Sequence, residues 1–77
     1  MTAAPPTLVD ARGMKCPWPL LRLARAVRAG GAGRYRLRAD DPAVPNDLAA
    51  MAAEQGWRVE RVDEAWAIDV PPDATER

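Results

Sequence analysis

Cys16 is the residue of this chain with the clearest capacity for chemistry, because it is the only cysteine among 77 residues. A cysteine thiolate is a nucleophile and can carry another group. The cysteine lies between a predicted strand and a predicted helix, within the segment Asp10-Ala11-Arg12-Gly13-Met14-Lys15-Cys16-Pro17-Trp18-Pro19. This placement makes Cys16 the candidate catalytic residue.

The predicted helix start gives a physical reason for a reactive thiol. Pro17 suits the first helical position and biases Cys16 toward the extended conformation of an N-cap. A helix N-terminus has a partial positive charge and unpaired N–H groups, and both favour a thiolate. Because Pro19 has no N–H, we expect the backbone N–H of Trp18 to point at the sulfur.

Two basic residues precede the cysteine. Arg12 and Lys15 place positive charge near Cys16, which lowers the pKa of a thiol if the side chains turn toward it. The chain has no histidine and no serine, so it contains no Ser-His or Cys-His pair and no zinc site built from the usual ligands. We therefore expect the backbone and the basic residues to activate Cys16, and we predict no metal site and no cofactor.

Charge and hydropathy limit the classes of partner. Eleven basic residues balance eleven acidic ones, so net charge gives no reason to expect direct nucleic-acid binding or attachment to acidic lipid. No apolar stretch approaches the roughly 18 residues of a membrane span, and Met1 to Thr7 lacks the pattern of a signal peptide. We expect a cytoplasmic protein whose single thiol stays reduced, with a protein or small molecule as its partner.

Apolar residues at three- and four-residue spacing predict two helices, and alternating or β-branched segments predict four strands. The predicted order is strand 7–10, helix 17–29, strand 34–39, helix 45–55, strand 57–62 and strand 65–70. Right-handed strand-helix-strand units and a final hairpin at Asp63-Glu64 predict a two-layer α/β sandwich, β-α-β-α-β-β, with a four-stranded mixed sheet and both helices on one face. One domain is expected over 7–70, with flexible tails at 1–6 and 71–77.

The predicted second strand alternates Arg34, Arg36 and Arg38 with an apolar face. Such a row is usually the solvated side of an open sheet, paired here with Glu60 or Glu64 on neighbouring segments. The alternative is a docking surface or an RNA contact.

Other aromatic and acidic residues have structural explanations. Trp57 and Trp66 are expected in the core or as cross-strand anchors, whereas Trp18 is expected to stay exposed as an interface hot spot. The acidic residues at the predicted turns are expected to have structural roles rather than to do proton chemistry: Asp10 either shapes its turn or pairs with Arg12, and the adjacent Asp40 and Asp41 are turn and cap residues. These turn residues are Asp10, Asp40 and Asp41.

The segment from Arg12 to Pro19 resembles the R-G-x-x-C-P-x-P signature of the TusA/SirA-like sulfur-carrier proteins. Ala39-Asp40-Asp41-Pro42, followed by Asp47-Leu48, resembles the second conserved stretch of that family, and the resemblance runs from about Leu8 to Val70. It implies a two-layer α/β sandwich whose motif cysteine receives a persulfide from a cysteine desulfurase, or another donor such as a rhodanese, and passes the sulfur to an acceptor protein. By this resemblance Cys16 is the sulfur carrier, in tRNA thiolation or another relay. The supporting residues are Arg12, Lys15, Pro17, Trp18 and Pro19.

One segment departs from the family pattern. Val44, Pro45 and Asn46 stand where better-known members have threonines and an arginine, at the predicted start of the second helix. This change could alter which acceptor docks. The alternative function is a non-catalytic protein-binding or regulatory module in which Cys16 is only a helix cap, so whether the chain is an enzyme stays open at this point.

Overall fold

The computed structural model describes residues 5–72. Six elements follow one another along the chain: β1 (Thr7–Asp10), α1 (Trp18–Gly30), β2 (Gly33–Arg38), α2 (Val44–Gln55), β3 (Arg58–Val62) and β4 (Ala65–Val70). Their number, kind and order are those predicted from the sequence. No helix in this part of the chain is long and apolar enough to span a lipid bilayer.

The four strands form one mixed sheet in the order β1-β2-β4-β3. β1 pairs with β2 in parallel, whereas β4 is antiparallel to both β2 and β3. The strand-helix-strand unit therefore supplies the parallel pair, and the terminal hairpin supplies the antiparallel edge. The predicted mixed sheet is confirmed.

Both helices pack on the same face of the sheet. The register aligns Val9 of β1 with Leu37 of β2, and these side chains join Leu23 of α1 and Leu48 of α2 in one buried cluster. Leu23, Leu37 and Leu48 have no solvent exposure, and full burial of one such side chain contributes about 1.5–3 kcal/mol. The two-layer sandwich follows from this single shared core.

Some element boundaries differ from the prediction. α2 begins at Val44 rather than Pro45, because the Asp41 carboxylate accepts a hydrogen bond from the N–H of Ala43 (2.8 Å) and the turn leads directly into the helix. Pro45 then lies in the first helical turn, where its missing N–H is not needed. β2 covers Gly33–Arg38 and β3 starts at Arg58, each one residue away from its predicted limit.

Glycines end both helices, and a two-residue turn joins the last two strands. Gly31 and Gly56 follow the last residues of α1 and α2. The β3–β4 hairpin has a two-residue loop, since Val62 pairs with Ala65. Asp63 occupies the left-handed region with φ of 55°, a conformation that aspartate tolerates better than most residues.

Aromatic side chains fix the helix layer to the sheet. Trp57 and Trp66 pack against the core, which confirms their predicted role, and the Arg61 guanidinium lies 4.6 Å from the centroid of the Trp66 ring. The hydroxyl of buried Tyr35 donates a hydrogen bond to the carbonyl of Gly31 (2.6 Å). A Cβ at Gly30 would lie 2.6 Å from that hydroxyl oxygen, so Gly30 allows the end of α1 to approach β2 closely.

The flexible tails predicted at 1–6 and 71–77 lie mostly outside the described residues, and their flexibility stays a prediction.

Candidate functional site

Cys16 lies in the loop between β1 and α1, partly buried against the core beside Met14. The loop leaves the sheet through buried Ala11, whose N–H donates to the carbonyl of Arg38 (2.8 Å). It then turns at Gly13, which has φ of 81° and therefore a backbone conformation that favours glycine. The cysteine is thus presented by a short loop with a defined backbone rather than by a long mobile segment.

A hydrogen bond joins this loop to the connection between β2 and α2. The N–H of Gly13 donates to the Asp40 carboxylate at 3.0 Å. Because β1 and β2 are parallel neighbours, the loops that follow them leave the same edge of the sheet. The cysteine segment and the Asp40-Asp41 segment, which are separate in sequence, therefore form one surface.

Two local expectations for Cys16 are wrong. The N–H of Trp18 donates to the carbonyl of Lys15 (2.8 Å) and not to the sulfur. Pro17, not Cys16, is the N-cap residue of α1, and no side chain caps this helix end. The reason is that a turn from Lys15 to Trp18 precedes the helix and uses the N–H that would otherwise face the thiol. The Cys16–Pro17 peptide bond within this turn is cis.

Arg12 is directed at Asp10 rather than at the thiol. Its Nε and Nη2 each donate to the Asp10 carboxylate at 2.9 Å, and its backbone N–H donates to the same group at 3.2 Å. These hydrogen bonds lower the pKa of Asp10 from 3.8 to about 2. The predicted pairing of Asp10 with Arg12 is confirmed, and this cation is unavailable to Cys16.

Acidic groups, rather than basic ones, surround the sulfur. The pKa of the Cys16 thiol is raised, first by partial burial, then by the negative charges of Asp41 and Asp47, and by hydrogen bonding with the Asp47 carboxylate. The predicted lowering of this pKa is therefore wrong for the isolated chain. Lys15 is exposed on the same loop, but its charge does not reverse the effect of the two carboxylates.

Asp47 is the neighbour that sequence reasoning missed. It lies in the first turn of α2, and the fold brings that turn to the cysteine loop. The available signal was its place just after Ala39-Asp40-Asp41-Pro42, the second segment that resembled the family. Asp41 was expected to shape a turn, and its hydrogen bond with the N–H of Ala43 confirms that role.

An apolar patch adjoins the cysteine at the start of α1. Trp18 is 62% exposed and Leu21 is 51% exposed, and residues three apart lie on neighbouring positions of one helix face. Pro19, between them, is fully buried and anchors the first turn in the core. Exposed Trp18 agrees with the prediction, and large exposed apolar side chains beside a reactive group are typical of a protein contact.

A family model described as sulfurtransferase TusA matches residues 7–69. The chain belongs to the TusA sulfurtransferase family. The match includes the cysteine loop, the Asp40-Asp41 segment and all but the last residue of β4. No curated protein sequence matches this chain.

The solved structures include a relative in fold. The crystal structure of a SirA-like protein from Desulfitobacterium hafniense superposes with a TM-score of 0.67 at 23% identity, covering 83% of this chain and 93% of that one. This likeness confirms the α/β sandwich of a TusA family member.

The chemistry available at this TusA-family site is that of one thiol. Within residues 5–72 no group of three or more potential ligand side chains converges to hold a metal ion. Cys16 can form and break bonds to sulfur, and the adjacent carboxylates favour its protonated form.

Proposed function

We propose that this TusA-family protein carries sulfane sulfur as a persulfide on Cys16. The observation that supports the proposal best is the position of the cysteine. It is the only thiol, and it lies on a fixed loop beside exposed Trp18 and Leu21, within the segment matched by the TusA family model. The sulfur comes from a cysteine desulfurase or a rhodanese-type donor and goes to an acceptor protein.

Each transfer is an exchange between sulfur atoms. The Cys16 thiolate attacks the outer sulfur of the donor persulfide, an S–S bond forms at Cys16, and the donor S–S bond breaks to release the donor thiolate. The thiol proton passes to that thiolate or to water. In the second step an acceptor thiolate attacks the outer sulfur on Cys16 and regenerates its thiolate, so neither step needs an external oxidant or reductant.

Because the pKa of the Cys16 thiol is raised in the free protein, we assign part of the activation of this thiol to the donor. Burial and the charges of Asp41 and Asp47 favour the neutral thiol in the free protein. A donor that presents positive charge to these carboxylates offsets their effect and favours the thiolate. Once loaded, the persulfide is more acidic than the thiol. The loaded form is therefore better suited to stay ionised.

We assign the relay to tRNA thiolation or another sulfur-delivery route in the cytoplasm. Reducing conditions there keep an unpaired thiol free between transfers. In this role the acceptor is a protein, and direct contact with nucleic acid is not required. The donor and acceptor dock in turn on the surface formed by Trp18 and Leu21.

Intact-mass spectrometry tests the proposal. The protein is incubated with cysteine and each of several cysteine desulfurases, and separately with a rhodanese and thiosulfate. We expect a mass increase of one sulfur atom that a reductant removes and that the Cys16→Ser variant lacks. Absence of this adduct with every donor, while each donor loads a known acceptor, would falsify the carrier function.

The protonated thiol favours a second candidate function, a non-catalytic protein-binding module. In that role the exposed Trp18 and Leu21 bind a partner and Cys16 takes no part in chemistry. The original basis of this alternative, a cysteine that caps the helix, is wrong because Pro17 is the N-cap. Partner binding that is unchanged in Cys16→Ser, together with no sulfur adduct, would support the binding module over the carrier.

A further inference from the structure

The face of the sheet opposite the helices carries a groove that the sulfur chemistry does not use. It has a volume of about 570 Å³ and runs along β4. Ala67 forms its floor, and longer side chains rise from the strands on either side. The β2 wall is Arg34 and Arg36, and the β3 wall is Arg58 and Glu60.

Strand register explains the shape of the groove. In the strand register, Ala67 lies opposite Arg36 of β2 and Glu60 of β3. Asp69 lies opposite Arg34 of β2 and Arg58 of β3 in the same way. β4 alternates large side chains toward the helices with small or acidic ones toward this face. The walls stand on strands two spacings apart, about 9.6 Å, which leaves room for one extended chain.

The arginines of the groove form no ion pair with the two carboxylates that also line it, Glu60 and Asp69. The expected ion pairs of the arginine row with Glu60 or Glu64 do not form, since Arg12–Asp10 is the one ion pair found within residues 5–72. The Nε of Arg36 is buried and has no hydrogen-bond partner in the same part of the chain. An unpaired donor of this kind is uncommon in folded proteins, and it shows that the Arg36 guanidinium is not held by a hydrogen bond from Nε to another described residue.

Spacing and composition indicate the chemistry of the occupant. Arg34 and Arg36 are two residues apart on one strand, so they lie about 6.6 Å apart along it. Carboxylates at every second residue of an extended peptide repeat at the same distance. The aromatic residues of β2 and β4, Tyr35 and Trp66, belong to the helix face, so this face offers no platform for stacking the bases of a single-stranded nucleic acid.

We propose that this groove binds an extended acidic segment of a partner protein, with acidic residues at alternate positions facing Arg34, Arg36 and Arg58. The residues between them point away from the sheet. The site is separate from Cys16 and does not depend on sulfur transfer. Electrostatic attraction carries much of the binding, so its affinity falls as salt is raised.

Fluorescence polarisation with a labelled synthetic peptide tests the proposal. In the test peptide glutamate alternates with threonine, and in the control peptide the same residues are arranged as adjacent glutamate pairs. At low salt we expect the wild-type protein to bind the alternating peptide more tightly than the paired one. Arg36→Gln should weaken that binding about fivefold, as expected for loss of one well-formed ion pair.

Arg25→Gln is the matched control, because it removes the same charge from an exposed position on α1. We expect it to change the affinity less than twofold, and Cys16→Ser to leave it unchanged. Arg34→Gln serves as a second groove variant if circular dichroism shows that Arg36→Gln does not fold. No peptide binding at low salt, equal affinity for both peptides, or equal losses in Arg25→Gln and the groove variants would overturn the proposal. Tighter binding of an oligouridylate than of the alternating peptide would also overturn it, in favour of a nucleic-acid surface.

Discussion

The Asp40 carboxylate accepts a hydrogen bond from the N–H of Gly13, 27 residues away in sequence, at 3.0 Å. This bond joins the loop that carries Cys16 to the loop that leads into α2. It is one of the contacts that hold the cysteine loop beside the segment that leads into the acidic first turn of α2.

Asp40→Ala should lower the free energy of unfolding by about 0.5–1.5 kcal/mol, the usual contribution of one hydrogen bond. Asp40→Asn retains a side-chain oxygen that can accept the bond and should recover part of the loss. Urea unfolding of the three proteins measures the effect. Equal stability of wild type and Asp40→Ala would show that the two loops are held together by other contacts.

Asp47→Asn should lower the pKa of the Cys16 thiol toward its ordinary value, because it removes a nearby negative charge. At neutral pH more thiolate is then present, so alkylation by iodoacetamide should be severalfold faster than in the wild type. The measurement is the alkylation rate as a function of pH. Glu60→Gln, which changes the same charge on the opposite sheet face, is the control and should follow the wild-type profile. A profile for Asp47→Asn that coincides with the wild type would contradict the role of Asp47.

The Asp10–Arg12 ion pair should be visible in the pH dependence of stability. The folded-state pKa of Asp10 is lowered to about 2, so the pair stabilises the fold above the unfolded pKa of about 3.9. That contribution is lost as the pH falls from about 4 through about 2. Arg12→Gln should therefore be less stable than wild type at neutral pH, and the difference should shrink as the pH falls and vanish below pH 2. Titration of the Asp10 carboxyl by NMR should show its pKa returning toward 3.8 in this variant, and an unchanged value would refute the assignment.

Trp18→Ala should slow sulfur loading of Cys16 by about 5–30-fold, which corresponds to the loss of 1–2 kcal/mol at a hot-spot contact. Its stability should change little, because the side chain is 62% exposed. Loading rates at limiting desulfurase concentration give the measurement. Leu8→Ala, a truncation of a 71% exposed side chain on β1, is the control and should load at the wild-type rate. Normal loading of Trp18→Ala would place the donor contact elsewhere.

The layers and their order were predictable from the sequence because each element has a regular pattern of its own. Strict alternation around Tyr35 and Leu37 predicted β2, and both side chains are buried. Apolar spacing at Leu20, Leu23 and Val27 predicted the inner face of α1, and all three are in the core. These patterns report which side of an element is apolar, and this determines how the layers pack.

The electrostatics of the site was not predictable from the same patterns. Arg12 and Lys15 were expected to lower the pKa of Cys16 because they are near it in sequence. In the structure Arg12 instead pairs with Asp10, which is nearer to Arg12 in sequence than Cys16 is. Asp47 reaches the sulfur only through the tertiary packing of α2 beside the loop. A thiol pKa depends on charges near in space, and sequence spacing does not measure that distance.

Both ends of α1 are fixed to the rest of the molecule. The Tyr35 hydroxyl binds the carbonyl of Gly31 at one end, and the Gly13–Asp40 hydrogen bond fixes the loop at the other. In the proposed transfer, the thiol is therefore carried by a loop that is hydrogen-bonded to the rest of the fold, and the cysteines of the donor and acceptor have to approach it.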